Sequence, residues 1–170
     1  MDKWVLITGG TKGIGRAVAN CLAKAGYQLI LTYASDTKAA EATCTTLRQA
    51  HGVRVELLRA DITDPRAVDE INAFLRGAER RLDALVLNAG ITCRDPFEQI
   101  QPADWLRVFQ ANVHFPVFLL QRIVDLLNEK GSVVFTGSLM GIEPHSVSLA
   151  YGVTKSAVHA LVKNLVKFMA

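Results

Sequence analysis

The chain has 170 residues, about one domain at roughly 150 residues per domain. Hydrophobic residues make up 50% and charged residues 21%, a balance that builds a packed core and excludes a disordered chain. Lys and Arg number 19 against 16 Asp and Glu, a formal net charge of +3, and the basic residues are scattered without a block, so nucleic acid is not an expected partner.

Residues 3–8 form a short apolar run that reads as a first strand. It is too short for a signal peptide and lacks a cleavage pattern. Helical spacing follows over 13–25, a strand over 28–33, a helix over 35–50 and a strand over 53–58. Asp64 then stands as a capping side chain ahead of Pro65 at the first position of a helix over 65–78. A strand over 83–88, one long helix over 103–129, a strand over 131–136 and a last helix over 149–169 complete the pattern, with Gly26, Gly52 and Gly131 falling between a helix and the next strand. The longest apolar stretch, 115–120, is far shorter than the ~20 residues that span a bilayer, so no membrane segment is expected. Cys21, Cys44 and Cys93 form an odd set without a CxxC, which fits reduced thiols in a cytoplasmic protein better than a disulfide framework or a zinc site. Alternating strands and helices imply parallel strands joined by right-handed crossovers. The predicted fold is α/β: a doubly wound, Rossmann-type parallel sheet with helices on both faces, in one domain over 1–170.

Between the first strand and first helix stands Thr8-Gly9-Gly10-Thr11-Lys12-Gly13-Ile14-Gly15. Glycines there allow a tight turn and let backbone N–H groups and a helix N-terminus meet a pyrophosphate. Without a ligand, the same glycines would simply pack helix on strand. The spacing also fits a P-loop, but Arg16 and Ala17 stand where that motif needs Lys and Ser or Thr. Asp61-Ile62 after the third strand and Asn88-Ala89-Gly90 after the fourth reach the same sheet edge, where open α/β sheets bind ligands. Asp61 could accept from an adenine amino group or serve as a turn residue. Tyr151 and Lys155 are four apart on the last helix and share a face; an ammonium beside a phenol lowers its pKa from ~10 and brings a proton donor nearer to neutral pH. Ser138 ends the fifth strand at the same edge. A nucleophile elbow is excluded there, because Gly137 directly precedes Ser138 and Gly141 comes one residue late.

In this order and spacing, Thr8-Gly9-x-x-x-Gly13-x-Gly15, Asp61, Asn88-Ala89-Gly90, Asn112, Ser138 and Tyr151-x-x-x-Lys155 resemble the short-chain dehydrogenase/reductase family along nearly the whole chain. The resemblance implies NAD(P)-dependent hydride transfer. Tyr151 would be the general acid in reduction, Ser138 would hydrogen-bond the carbonyl oxygen, and Lys155 would hold the nicotinamide ribose and tune the tyrosine. Asn112 would hold a water of a proton relay; Pro116, four residues later, has no N–H for the Asn112 carbonyl, which frees that oxygen to accept. Gly9, Thr11, Lys12, Gly13, Ile14, Gly15, Asp61, Ile62, Asn88, Ala89 and Gly90 would contact the cofactor, together with Tyr151 and Lys155. No metal site is expected.

Lys12 in the glycine loop, with Tyr33 where an acidic residue would select NADH, favours NADPH; Asp36 complicates that choice unless it or Ser35 caps the second helix. Thr32-Tyr33-Ala34-Ser35, Gly90-Ile91-Thr92 and the spacing of Ser138, Tyr151 and Lys155 are most similar to beta-ketoacyl acyl-carrier-protein reductases of fatty acid biosynthesis, so a 3-oxoacyl thioester or another small-molecule carbonyl is the implied substrate. Val117, Leu120, Val124 and Leu127 continue down one helix and Val158, Leu161, Leu165 and Phe168 down the next, and both carry further apolar positions, Phe118, Leu119, Val162 and Val166, that need a second cover. Relatives pair these two helices with their symmetry mates, so the resemblance implies a homodimer or homotetramer. Relatives usually continue into a sixth strand, a substrate-covering segment and a seventh strand, so C-terminal elements beyond 170 are expected to be missing from this sequence. The alternative is a nucleotide-binding protein without turnover.

Overall fold

The computed structural model describes residues 2–169. Five parallel strands, β1 (Trp4–Ile7), β2 (Gln28–Tyr33), β3 (Val55–Arg59), β4 (Leu82–Leu87) and β5 (Leu127–Phe135), lie in the order β3-β2-β1-β4-β5. Each connection is a crossover through α1 (Gly13–Lys24), α2 (Thr37–His51), α3 (Ala67–Gly77) or the pair α4 (Pro102–Phe109) and α5 (Phe115–Ile123); α6 (Leu149–Met169) follows β5. The order reverses between β1 and β4, so a crevice opens beyond their carboxyl ends.

The continuous apolar runs of β1 and β2 have a direct cause. Val5, Leu6, Ile7 and Leu29, Ile30, Leu31 are all fully buried, because helices cover both faces of the sheet. Alternation along the strand divides them. Leu6, Ile30 and Leu85 pack with Ile71 and Leu75 of α3 and Phe115, Leu119 and Ile123 of α5. Val5, Ile7, Leu29 and Leu31 pack with Ala19 and Ala23 of α1 and Cys44 and Leu47 of α2. The cysteines are free. Among the described residues no helix is long and apolar enough to cross a membrane.

Three local expectations are corrected. The single helix over 103–129 is interrupted by a π-helical turn at Gln110–His114 and ends at Ile123. Pro116 cannot donate to the carbonyl four residues back, and the helix widens just before it, with Phe115 N–H closing on the Gln110 carbonyl instead. At its end, the Arg76 guanidinium of α3 holds the Asp125 carboxylate at 3.0 Å and reaches the Arg122 carbonyl. Leu127 is therefore a strand residue and Val124 lies in a 3-10 turn, so the apolar stripe from Val117 does not run down one helix. Gly131 lies within β5, where the register passes from Leu82 opposite Leu127 to Ala84 opposite Ser132. Finally, α3 begins at Ala67; Asp64 accepts from Arg66 N–H at 2.9 Å and caps the turn ahead of the helix.

Candidate active site

The glycine-rich turn is built from backbone. Gly9 sits at φ +63°, which L side chains rarely adopt, and its N–H donates to Thr32 Oγ1 at 3.1 Å. A Cβ on Gly15 would run into the Gly9 carbonyl and stand 2.7 Å from Asn88 Nδ2. The helix α1 that follows has no side-chain cap and no acidic residue in its first turn, so its N-terminal N–H groups and dipole are open to an anion. Gly13 and Ile14 lie exposed at this opening, while Thr11 is buried and its carbonyl accepts from Thr43 Oγ1 at 2.9 Å.

Asn88 fixes that turn to β4. Its Nδ2 donates to the Thr8 carbonyl at 3.0 Å, and the backbone N–H groups of Asn88 and Ala89 donate to Thr8 Oγ1 at 3.0 and 3.1 Å. A cleft of about 270 Å³ opens beside it, lined by Gly9, Tyr33, Ala34, Asp61, Ile62 and Gly90 among others. Its size and mostly apolar lining suit an adenosine. Asp61 is exposed at the cleft, and its Oδ1 accepts from Thr63 N–H and Oγ1 at 2.9 and 2.8 Å, so the turn role is present there. Lys12 is paired with Asp36, which also accepts from Ala39 N–H at 3.0 Å and caps α2.

At the other end of the crevice Lys155 is buried, only 4% exposed. Its Nζ donates to the Thr136 carbonyl at 2.7 Å and lies 5.5 Å from the centre of the Tyr151 ring. Burial pushes its pKa below that of a free lysine. Asn112, on the π-turn, is also buried: Oδ1 accepts from Ile91 N–H at 2.9 Å, while Nδ2 donates to the Ile91 carbonyl at 2.9 Å and to Thr154 Oγ1 at 3.0 Å. Thr154 Oγ1 in turn donates to the Tyr151 carbonyl at 2.8 Å. A Cβ on Gly90 would stand 3.2 Å from Asn112 Oδ1 and 3.7 Å from Lys155 Nζ, which places both groups against the loop after β4. The loop carrying Ser138 is drawn onto α6 by Ser156 Oγ, donating to the Gly141 carbonyl at 2.8 Å. Ser138 itself is half-buried, with its Oγ accepting from Met140 N–H at 3.2 Å.

A family model described as short chain dehydrogenase matches residues 3–170. The chain belongs to the short-chain dehydrogenase family. Among short-chain dehydrogenase relatives, sulfoacetaldehyde reductase 2 of Chromohalobacter salexigens is 36% identical over 169 residues, 97% of this chain and 66% of its own. The 3-oxoacyl acyl-carrier-protein reductase of Staphylococcus aureus is 29% identical over 175 residues, 100% of this chain and 70% of its own. A Burkholderia cenocepacia short chain dehydrogenase solved with NADP superposes with a TM-score of 0.91 at 30% identity, over 98% of this chain and 68% of that one. The chain thus spans about two thirds of the length of these relatives.

Several groups beyond the expected site residues hold this crevice together. Thr8, quoted in the glycine-rich motif without a role of its own, Thr32 and Thr154 supply hydroxyls, and Thr136 supplies a carbonyl. Ser148, immediately before α6, accepts from Tyr151 N–H at 3.3 Å. Ser148 had a legible signal, a capping residue directly ahead of a helix. Thr32 had none, because its partner is a backbone N–H of another loop, and Thr154 had none, because it joins the Tyr151 carbonyl in its own helix to the side chain of the distant Asn112.

Proposed function

We propose that this short-chain dehydrogenase reduces a carbonyl to an alcohol with NADPH, through Ser138, Tyr151, Lys155 and Asn112. The observation that carries the reading is the buried Lys155 beside the Tyr151 ring. A lysine withdrawn from water is costly even with a carbonyl to receive it, and here its placement serves a proton donor.

The residues present fit the cofactor: a turn without Cβ atoms in the way, an uncapped helix N-terminus for a pyrophosphate, and a cleft of adenosine size. Gly9, Thr11, Lys12, Gly13, Ile14 and Gly15 would hold the phosphates; Asp61, Ile62, Asn88, Ala89 and Gly90 would enclose the adenosine and its ribose neighbour. Bound NADPH supplies a hydride. Tyr151 gives its hydroxyl proton to the carbonyl oxygen, and Ser138 Oγ–H donates to the same oxygen. An ammonium has three N–H donors; the Thr136 carbonyl takes one from Lys155, leaving two for the ribose and the tyrosine side. The Asn112 side chain is committed to Ile91 and Thr154, so the relay water is assigned to its backbone carbonyl.

The named relatives include reductases of sulfoacetaldehyde and of 3-oxoacyl chains. A 3-oxoacyl thioester, as in fatty acid biosynthesis, is therefore the first substrate to assay. Reduced cysteines support a cytoplasmic setting. Half-exposed Phe118 and Val166, 50% and 60% exposed, support association of α5 and α6 with a second copy in a homodimer or homotetramer.

Tyr151→Phe tests the reading. Carbonyl reduction should fall by about 10²- to 10⁴-fold, while NADPH affinity stays within about twofold. Equal loss of binding would overturn the assignment. Wild-type binding without turnover on 3-oxoacyl, sugar or steroid ketones would favour a nucleotide-binding protein instead.

A further inference from the structure

Tyr151, Lys155 and His159 follow one another at helical spacing along one face of α6. The first two are absorbed by the proposed reaction, while the third lies half-buried one turn beyond the lysine. Its imidazole packs against Gly137, the residue between Ser138 and Thr136, whose carbonyl receives Lys155 Nζ at 2.7 Å. A Cβ on Gly137 would stand 2.5 Å from His159 Nε2 and 3.1 Å from its Cδ2, and the three nearest atoms it would meet all belong to this ring. Gly137 is not at positive φ, so its backbone would accept a side chain. The imidazole occupies the place of that side chain.

The end of β5 is anchored on either side of this contact. Thr136 N–H donates to the Leu87 carbonyl of β4 at 3.0 Å, and Gly141 presses so closely on α6 that a Cβ there would stand 2.6 Å from the Lys155 carbonyl carbon. Between these anchors the His159 ring spaces Gly137 from the helix. A matching contact closes the far end of the loop, where the His145 ring lies against Gly152, the residue after Tyr151; a Cβ there would stand 2.7 Å from His145 Nε2, while Nδ1 accepts from Val147 N–H at 3.1 Å. We propose that His159 is a positioning residue: its imidazole sets the gap between α6 and the end of β5, and so aligns Ser138 and the Thr136 carbonyl with Tyr151 and Lys155. This rests on the carbonyl-reductase reading. The effect passes through the Gly137 backbone, because closely packed atoms transmit a displacement.

The test is a double-variant cycle on the full chain with His159→Ala, Gly137→Ala and the two together, reading kcat at saturating ketone and NADPH, NADPH affinity by titration, and the denaturant midpoint. Gly137→Ala drives its methyl into the ring and should lower kcat by about 10²-fold, the size expected when reacting groups are displaced by about 1 Å. His159→Ala loosens the gap and should lower kcat by about three- to tenfold. In that background the added methyl enters vacated space, so Gly137→Ala should cost no further activity. NADPH affinity, which the reading assigns mainly to the turn after β1, should change far less than kcat. Wild-type kcat in His159→Ala would overturn the proposal, as would a Gly137→Ala loss of equal size in both backgrounds or a fall in NADPH affinity as large as that in kcat. If Gly137→Ala alone does not fold, a cooperative midpoint regained in the double variant shows the same clash, and His159→Ala carries the kinetic test. Wild type that binds NADPH without turnover on any ketone ends the reductase reading and the proposal with it; turnover in wild type with an additive cycle removes only the proposal.

Discussion

The turn after β1 and the face of α6 look onto the same crevice but are built in opposite ways. The turn presents bare backbone with no room for a Cβ: Gly9 sits at positive φ and Gly15 is pressed against the Gly9 carbonyl, with the Asn88 side chain pinning the Thr8 carbonyl from β4. The α6 side holds its shape with buried side chains, Lys155, Thr154 and Asn112, each tied to a carbonyl or hydroxyl from another element or turn. The difference teaches where each half is vulnerable. Adding a Cβ should damage the turn, whereas removing a polar atom should damage the α6 side.

The largest effect that breaks this comparison is expected from Lys155→Ala, because in the proposed function the lysine would serve ribose and tyrosine together. Turnover should fall by about 10²- to 10⁴-fold, with NADPH affinity falling as well. Steady-state kinetics and a binding titration check both; unchanged affinity would confine the lysine to the tyrosine. Next comes Gly15→Ala, which should cost about 1–3 kcal/mol of stability through overpacking against Gly9 and Asn88. Its nucleotide binding should be lost ahead of its fold. Denaturant titration with and without NADPH reads the two, and a variant that keeps both would show that the turn has room for a side chain.

Thr154→Val sharpens the contrast on the α6 side, since it keeps shape and removes one hydroxyl. Asn112 Nδ2 then loses one of its two acceptors and the Tyr151 carbonyl loses the hydroxyl bonded to it, a cost of about 1–3 kcal/mol. Reduction should slow with little change in nucleotide affinity, and Thr154→Ser should restore it; equal behaviour of the two variants would reduce Thr154 to packing. The smallest effect lies outside the crevice. The Arg66 guanidinium holds the Asp64 carboxyl at about 2, below its ordinary 3.8. Between these values the unfolded chain binds more protons, so the contribution is full above pH 3.8 and is lost as pH falls through about 2. Asp64→Asn should flatten the acid limb of the stability profile, and an unchanged limb would remove the pair from the account.

Much of this was legible in the residues. The strand over 28–33 and the helix over 149–169 match their expected bounds, the first a short apolar run that follows Gly26 and the second a sustained helical period that starts behind Ser148. The sequence by itself determined the parallel α/β order, the anion-ready turn between β1 and α1, and the shared face of Tyr151 and Lys155, since these follow from spacing within a few residues. Tertiary structure alone decided where α5 ends, because Arg76 of α3 captures Asp125, and a helical period continues through Leu127 regardless. It also decided which groups complete the site. The carbonyl that receives Lys155 belongs to Thr136, the hydroxyl that receives Asn112 belongs to Thr154, and the carboxylate on Lys12 belongs to Asp36. Partners chosen across a sheet edge leave no periodic trace, because they depend on which strand ends meet and not on the residues beside them in the chain.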